Sequence, residues 1–287
     1  MSDSLFSADA TGVATIRAKY PQLFSATLTE RIRYAGIWFL VLVFILFAAW
    51  RTGFFNWQSI YQGLGKIGFV IKLMLPPAHH GWLYEFLYAI LETMSMAFLG
   101  TLIATLISIP LGFLGAKNII PNRFFHFSFR RVFDGIRGID ALIWALIFVN
   151  VVGLGPFAGI MAIAVSDIGT LSKLFAEAVE NIDKKQVEGV YSSGASRVQT
   201  LRYGVFPQIF PVILSNALYF FESNIRSATI LGVVGAGGIG LQLSDRIRVN
   251  NWDEAAFIIL LILVTVSVID TISKEIRIRI INYGKTG

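Results

Sequence analysis

The sequence predicts an all-α integral membrane protein with six transmembrane helices and with both termini in the cytoplasm. Three observations predict it. Of 287 residues, 55% are hydrophobic and only 15% charged, whereas soluble domains carry roughly 25% charged residues. Six apolar stretches approach or exceed the length needed to cross a bilayer. The basic residues between them then alternate in density: 18 of the 24 fall in segments that share one side, as the positive-inside bias requires.

Taken in order, residues 1–33 form a polar cytoplasmic segment that includes Asp3, Asp9, Arg17 and Lys19. It lacks a charged-then-apolar leader pattern, so no cleaved signal peptide is expected. Residues 34–50 are the first span, uncharged and bracketed by Arg33 and Arg51. Residues 51–85 form an external loop. Its run SIYQGLGKIGFVIKLMLPP is apolar but carries Lys66 and Lys72, which favours an interfacial helix over a further span. A core over 86–273 supplies five more spans. The first covers about 86–116 with one early acid, Glu92. Two share the stretch between Arg137 and Lys173, divided by GLGP at Gly153–Pro156, where glycine and proline punctuate a hairpin. The last two cover about 208–234 and 255–273. A cytoplasmic loop, 177–207, interrupts this core, and residues 274–287 form a cytoplasmic tail.

Composition also excludes chemistry. There is no cysteine, so neither disulfides nor thiolate chemistry arises. His79, His80 and His126 show no metal-ligand spacing; His79 and His80 follow Pro76-Pro77 and read as a solvated loop. No nucleophile–base constellation occurs, so the chain is not expected to be an enzyme or to hold a cofactor or metal. The net charge of +6 belongs to the cytoplasmic loops of a membrane protein rather than to a nucleic-acid surface. G-x-x-x-x-G-K-[ST] is absent, since Gly65-Lys66 is followed by Ile67. Any ATP and Mg must therefore be bound by a partner.

The run GVVGAGGIG, 232–240, spells G-x-G-x-x-G at Gly235, Gly237 and Gly240, with Asp253 and Glu254 downstream at the distance of a ribose ligand. A dinucleotide fingerprint must follow a strand and open a soluble helix, and here it follows a bilayer-length segment. The glycines, Gly238 among them, instead end a helix and let backbones approach closely. Irregular backbone at membrane depth survives only where protein covers it or water borders it. A gating element beside a pathway is the expectation.

Ionisable groups within or near spans, Glu92, Asp140, Asp167, Glu222, Arg226 and Asp270, must turn inward or pair. Glu222 and Arg226 are i, i+4 on span five, within reach of each other. Two readings stand: a structural pair, or groups bordering a translocation route with Asn224, where Arg226 offsets an anion's charge. Ser223/Ser227 and Ala228/Gly232 put small residues at helical spacing for close packing against a second copy.

The segment EAVENIDKKQVEGVYSSGASRVQTLRYGVFPQIFP, Glu177–Pro211, has helical stretches on both sides of Ser192-Ser193-Gly194. Gly194 suits a sharp turn, Ser196 a cap for the second helix and Pro207 the start of span five. A compact element standing on the inner face is a docking surface. Glu188-Gly189-Val190, Gly194-Ala195-Ser196 and Pro207 resemble the E-A-A…G signature in permease subunits of ATP-binding-cassette importers, with Gly189 and Val190 in place of the two alanines. The runs at 92–118, 153–180 and 218–240 are similar to the phosphonate-type branch of those permeases, and the resemblance covers roughly residues 85–280.

The resemblance implies the type I importer fold in the inner membrane of a prokaryote. Glu188, Gly194, Ala195, Ser196, Arg197 and Pro207 would then couple to a cytoplasmic ATPase, and Glu222, Asn224, Arg226, Gly235, Gly237, Gly238 and Gly240 would line or gate the route. It implies a second permease copy forming a homodimer, two ATPase subunits and an external solute-binding protein. The cargo would be a phosphonate or a related reduced-phosphorus oxyanion. Two alternatives remain at this stage: an importer permease for another small solute such as methionine, and an ion-coupled carrier.

Overall fold

The structure, a computed structural model, describes residues 28–120 and 123–286; most of the expected 1–33 segment lies outside them. The chain divides into two compact units, 1–69 and 70–287. In the first, α1 (Leu28–Arg51) is apolar around its whole circumference, with Trp38 and Phe44 among many exposed side chains. A helix apolar on every side belongs in hydrocarbon. It extends beyond the uncharged 34–50 stretch because Arg31, Arg33 and Arg51 sit at its ends, where long side chains reach headgroups. The helix α2 (Trp57–Leu73) falls where the interfacial helix was expected, and the division between the units runs through its last turn.

The second unit is built on α3 (Leu83–Gly115) and α6 (Pro156–Glu180). These two helices meet at backbone distance. A Cβ on Gly100 would lie 2.7 Å from the Ile163 side chain, and one on Gly112 would lie 2.6 Å from Phe175. Small residues let helices approach where lipid gives them no hydrophobic drive to associate. Around this seam Ala104, Leu171, Phe175, Val179 and Ile209 form one buried cluster, and Met96, Ala97, Ile163, Ile225 and Ala228 another.

Helix α5 (Ala141–Val152) falls where the third span was expected, and α4 (Arg123–Arg137) precedes it. They are bent by 79° at the short break between them, and α5 alone is only 12 residues long. The break has local causes. Gly138 closes α4, and Asp140 caps α5 by accepting from the Leu142 N–H at 2.8 Å. The GLGP hairpin follows, with Gly153 and Gly155 at positive φ and Pro156 opening α6, where its missing N–H costs nothing.

Beyond α6 the chain makes α7 (Lys184–Ser192), the short α8 (Arg197–Thr200), a π-helical turn (Leu201–Val205) and α9 (Phe206–Leu231). A second π-helical turn (Gly232–Ala236) leads to α10 (Gly238–Arg248) and α11 (Trp252–Thr286). Three boundaries differ from expectation. Helix α6 continues through Lys173 to Glu180, past the start expected for the 177–207 loop. The outer segment 234–254 is largely α10. Helix α11 runs 35 residues, through the expected tail, because the chain after Ser273 keeps an apolar stripe at Ile276 and Ile280 and contains no proline. Among the described residues five helices are long and apolar enough to cross a membrane, six if the bent pair counts as one span.

The His79–His80 turn is exposed, as expected, and is also anchored to α11. His79 packs on Phe257, and the His80 Nε2 pairs with the Asp253 carboxylate at the start of α11. Below it, Arg246 pairs with the buried Glu254 at 2.7 Å and lies over the rings of Trp82 and Phe86.

Gly112→Val places two methyl groups into Phe175 and should cost about 1–3 kcal/mol, read as a lower thermal midpoint in detergent. Donating a hydrogen bond to the Asp253 carboxylate holds the His80 imidazole above its ordinary value of 6.5. That contribution is complete below 6.5 and is lost as pH rises through the raised value. The midpoint difference between wild type and His80→Gln should therefore be largest near about pH 5.5 and vanish by about pH 9.

Candidate functional site

Two regions collect the residues singled out from sequence, and they lie at opposite ends of α9. The first is the elbow between α6 and α9. Asp183 caps α7 by accepting from the Lys185 N–H at 2.9 Å, and Gly194 turns the chain at φ +85. Ser196 and Gln199 then form a reciprocal box at the start of α8: the Ser196 N–H donates to Gln199 Oε1 at 2.8 Å, and the Gln199 N–H donates to Ser196 Oγ at 3.4 Å. Pro207 lies in the first turn of α9.

This elbow is fixed to the membrane helix. Gln208 accepts from the Asp183 N–H at 2.8 Å and donates to the Gly204 carbonyl at 2.7 Å, joining the start of α7 to the start of α9. A Cβ on Gly204 would come within 3.3 Å of Val187, so α7 lies directly on the first π-helical turn. What faces away is uncovered. Glu188, Gly194, Ser196 and Arg197 are exposed and Ala195 is half-buried. Tyr191 and Val198 are 63% and 74% exposed, large apolar area for a polar element. Glu188 and Arg197 border one open groove of about 540 Å³, with Lys184 and Tyr191 beside them. The elbow is a rigid platform presenting mixed charge and two apolar side chains.

The second region joins α9 to its neighbours at membrane depth. Asn224, buried, donates to Thr101 Oγ1 at 2.8 Å and to Asp167 Oδ2, linking α9 to α3 and α6. Glu222 pairs with Arg277 at 2.6 Å, and Arg226 reaches both oxygens of Asp270 at 3.2 Å, linking α9 to α11. The Glu222–Arg226 pair itself is only a 3.9 Å contact. Sequence spacing found this weaker pair and missed the two stronger ones. Arg277 had been assigned to the tail, and only the continuation of α11 brings it to Glu222. The structure thus separates three residues expected on one route. Asn224 is inside the chain and Glu222 nearly so, while Arg226 and Asp270 keep 46% and 40% of their side chains exposed.

The glycine run is a packed crossing. Gly235 and Gly237 adopt φ of +101 and +84, and the Gly235 carbonyl accepts from the Gly155 N–H at 3.0 Å, seating the turn on the start of α6. A Cβ on Gly237 would lie 2.9 Å from Glu92 Oε1, and one on Gly240 would run into the Thr229 carbonyl. Gly238 sits against Thr93, whose hydroxyl accepts from the Ile239 N–H at 2.9 Å. All four glycines are buried, as are Ala228 and Gly232. The last two pack within the chain, so they do not offer the face to a second copy that their spacing suggested. Among the described residues no cluster of His, Cys, Asp or Glu could hold a metal ion.

Residues 108–276 match the family described as binding-protein-dependent transport system inner membrane component. The chain is 33% identical over 238 residues to the phosphite transport system permease protein PtxC of Stutzerimonas stutzeri, covering 83% of this chain and 86% of that protein. It is 36% identical over 241 residues to the phosphate-import permease protein PhnE of Mycolicibacterium smegmatis, covering 84% of this chain and 44% of that longer protein. Its fold is similar to a chain of the MetNI methionine ABC transporter in an inward-facing conformation. The TM-score is 0.62 at 19% identity, over 71% of this chain and 99% of that one.

Asn224→Ala would leave buried Asp167 and Thr101 without their shared donor. A loss of about 1–3 kcal/mol is expected, measured by thermal unfolding in detergent. Arg226→Gln, at a half-exposed pair, should change stability by less than about 1 kcal/mol.

Proposed function

Because the chain belongs to the family of binding-protein-dependent transport system inner membrane components, we propose that it is the permease of an ATP-driven importer carrying a phosphonate or a related reduced-phosphorus oxyanion such as phosphite. The chain is a transport subunit of the inner membrane. The single observation that carries the mechanism is the elbow. Its outer face is free, and its inner face is hydrogen-bonded to the first turn of α9 through Gln208. A cytoplasmic ATPase gripping Glu188, Tyr191 and Arg197 would move α9 with it, while Gly194, Ser196 and Pro207 hold the elbow's shape and Ala195 sits half-buried in its turn.

Two ATPase subunits bind the ATP and Mg, and an external solute-binding protein delivers the cargo. A second permease subunit, which we take to be another copy of this chain, completes the pathway, since paired membrane subunits favour two-fold symmetry. Both termini face the cytoplasm, as the distribution of basic residues supports. Arg226 and Asp270 border the route. Their exposed, mutually neutralising charges suit a path that an anion crosses without meeting an unscreened carboxylate. The packed glycine crossing at Gly235, Gly237, Gly238 and Gly240 is the outer hinge against which α9 turns. The names of the relatives, phosphite and phosphate import, support a tetrahedral phosphorus oxyanion over methionine or another amino acid.

Glu188→Lys should lower phosphite or phosphonate uptake by about tenfold or more, the order expected for a reversed charge in a protein interface, while the chain still inserts at wild-type level. Gly194→Leu should do the same through the strained turn. Uptake by both variants at the wild-type rate would remove the coupling role. Accumulation by the chain alone in liposomes under an ion gradient would replace the importer by a secondary carrier.

A further inference from the structure

We propose that the groove beneath α4 binds the headgroup of an anionic phospholipid from the surrounding bilayer. The groove is open, about 740 Å³, and four of its walls are basic: Lys117, Arg130, Arg131 and Lys173. Acids do not balance them. Asp134 serves both Lys173, at 2.8 Å, and Arg131, at 3.8 Å. Glu180 accepts from Arg130 at 2.9 Å and from the Lys117 backbone N–H, also at 2.9 Å. The Lys117 ammonium has no ion pair among the described residues, and Arg130 Nε is buried without a hydrogen-bond partner among them. Four cations against two carboxylates leave the groove with an excess of positive charge.

The helix bordering the groove says which anion. Positions 125, 129, 132 and 136 of α4 are Phe, Phe, Val and Ile, an apolar stripe at i, i+4, i+7 and i+11. Val132 is 57% exposed and Phe124, about two turns earlier, 79%. The groove residues Phe127, Arg130, Arg131 and Asp134 occupy the other flank, with Arg131 stacked 4.9 Å over Phe127. Helix α4 also bends 79° away from the apolar α5. A basic face beside exposed Phe side chains is the pattern of a helix lying in a membrane interface. Ile136 packs on α6 at Gly169, so acyl chains would cover the exposed Phe124, Phe127 and Val132 while the phosphate enters the groove. An acidic protein surface would satisfy the charge but leave these side chains in water. A polybasic patch at this depth also discriminates anionic from zwitterionic lipid. The inference goes beyond the transport reading and holds whichever solute is carried.

The test uses the full chain purified in mild detergent, with lipid retention read by native mass spectrometry. Phosphatidylglycerol should be held about tenfold more tightly than phosphatidylethanolamine with the same acyl chains. The double variant Lys117→Gln/Arg131→Gln should bring the two lipids to within about twofold, with an unchanged thermal midpoint. Arg279→Gln, which removes the same kind of charge at the far end of α11, should leave the preference intact. Equal retention of both lipids by wild type, or a preference that survives the double variant, overturns the site. Displacement of phosphatidylglycerol by excess inorganic phosphate would assign the groove to a free anion and overturn it too. So would a double variant that keeps its lipid preference but no longer copurifies with the ATPase. If the double variant does not fold, a salt titration of wild type decides: loss of the preference by about 0.5 M salt supports the site, and persistence overturns it.

Discussion

Two helices touching at their backbones set the geometry of everything else in the second unit. Gly100 and Gly112 bring α3 against α6 so closely that even a methyl group would collide. In lipid this closeness is the main source of association, because tails solvate Leu and Ile as well as another helix does. Once the pair is fixed, Thr101 and Asp167 stand side by side on it and present a polar notch. Only one residue of α9 fills that notch, Asn224. A buried amide left unpaired in such surroundings is expensive, so the notch sets both the rotation and the height of α9. The ion pairs to α11 then follow from where α9 has been placed.

That placement gives the chain a mechanical axis. From Arg197 the backbone stays helical until Gly235, whose φ of +101 breaks it. One end carries the elbow, and the other ends in the glycine crossing over the start of α6. Each π-helical turn inserts one extra residue, which relaxes the hydrogen-bond ladder locally without cutting it. A torque applied at the elbow therefore reaches residues 222–226 through covalent and hydrogen-bonded structure alone. In the proposed coupling, the Asn224 triad would be the bearing for that torque.

Local features were legible from sequence, and remote ones were not. Gly194, Ser196 and Pro207 announce a turn, a cap and a helix start because each acts through its own backbone or that of a near neighbour. The rejection of a nucleotide site at 232–240 needed only the length of the segment before it. Asn224 and Asp167 are 57 residues apart, Asn224 and Thr101 are 123, and Glu222 and Arg277 are 55. Nothing at those spacings distinguishes a bonded pair from two isolated polar residues, so the i, i+4 pair drew attention and the real partners did not. Hydropathy likewise counted the third span as whole, since it measures the apolar character of 141–152 and is blind to the bend before it. The small residues at 228 and 232 show the same limit: spacing identifies a close contact but not which neighbour makes it.

The brevity of α5 bears on the membrane itself. Twelve residues rise about 18 Å along a helix axis, against about 30 Å of hydrocarbon in an ordinary bilayer. Beside α5 the chain has too little greasy length, and the 79° bend brings Gly138 and the Asp140 cap down to where lipid tails would normally lie. Where α5 alone faces the tails, headgroups and water would have to dip to meet this cap and pinch the leaflet. The energetic penalty of such a pinch depends on lipid length, so the protein would then respond to the thickness of the membrane that holds it.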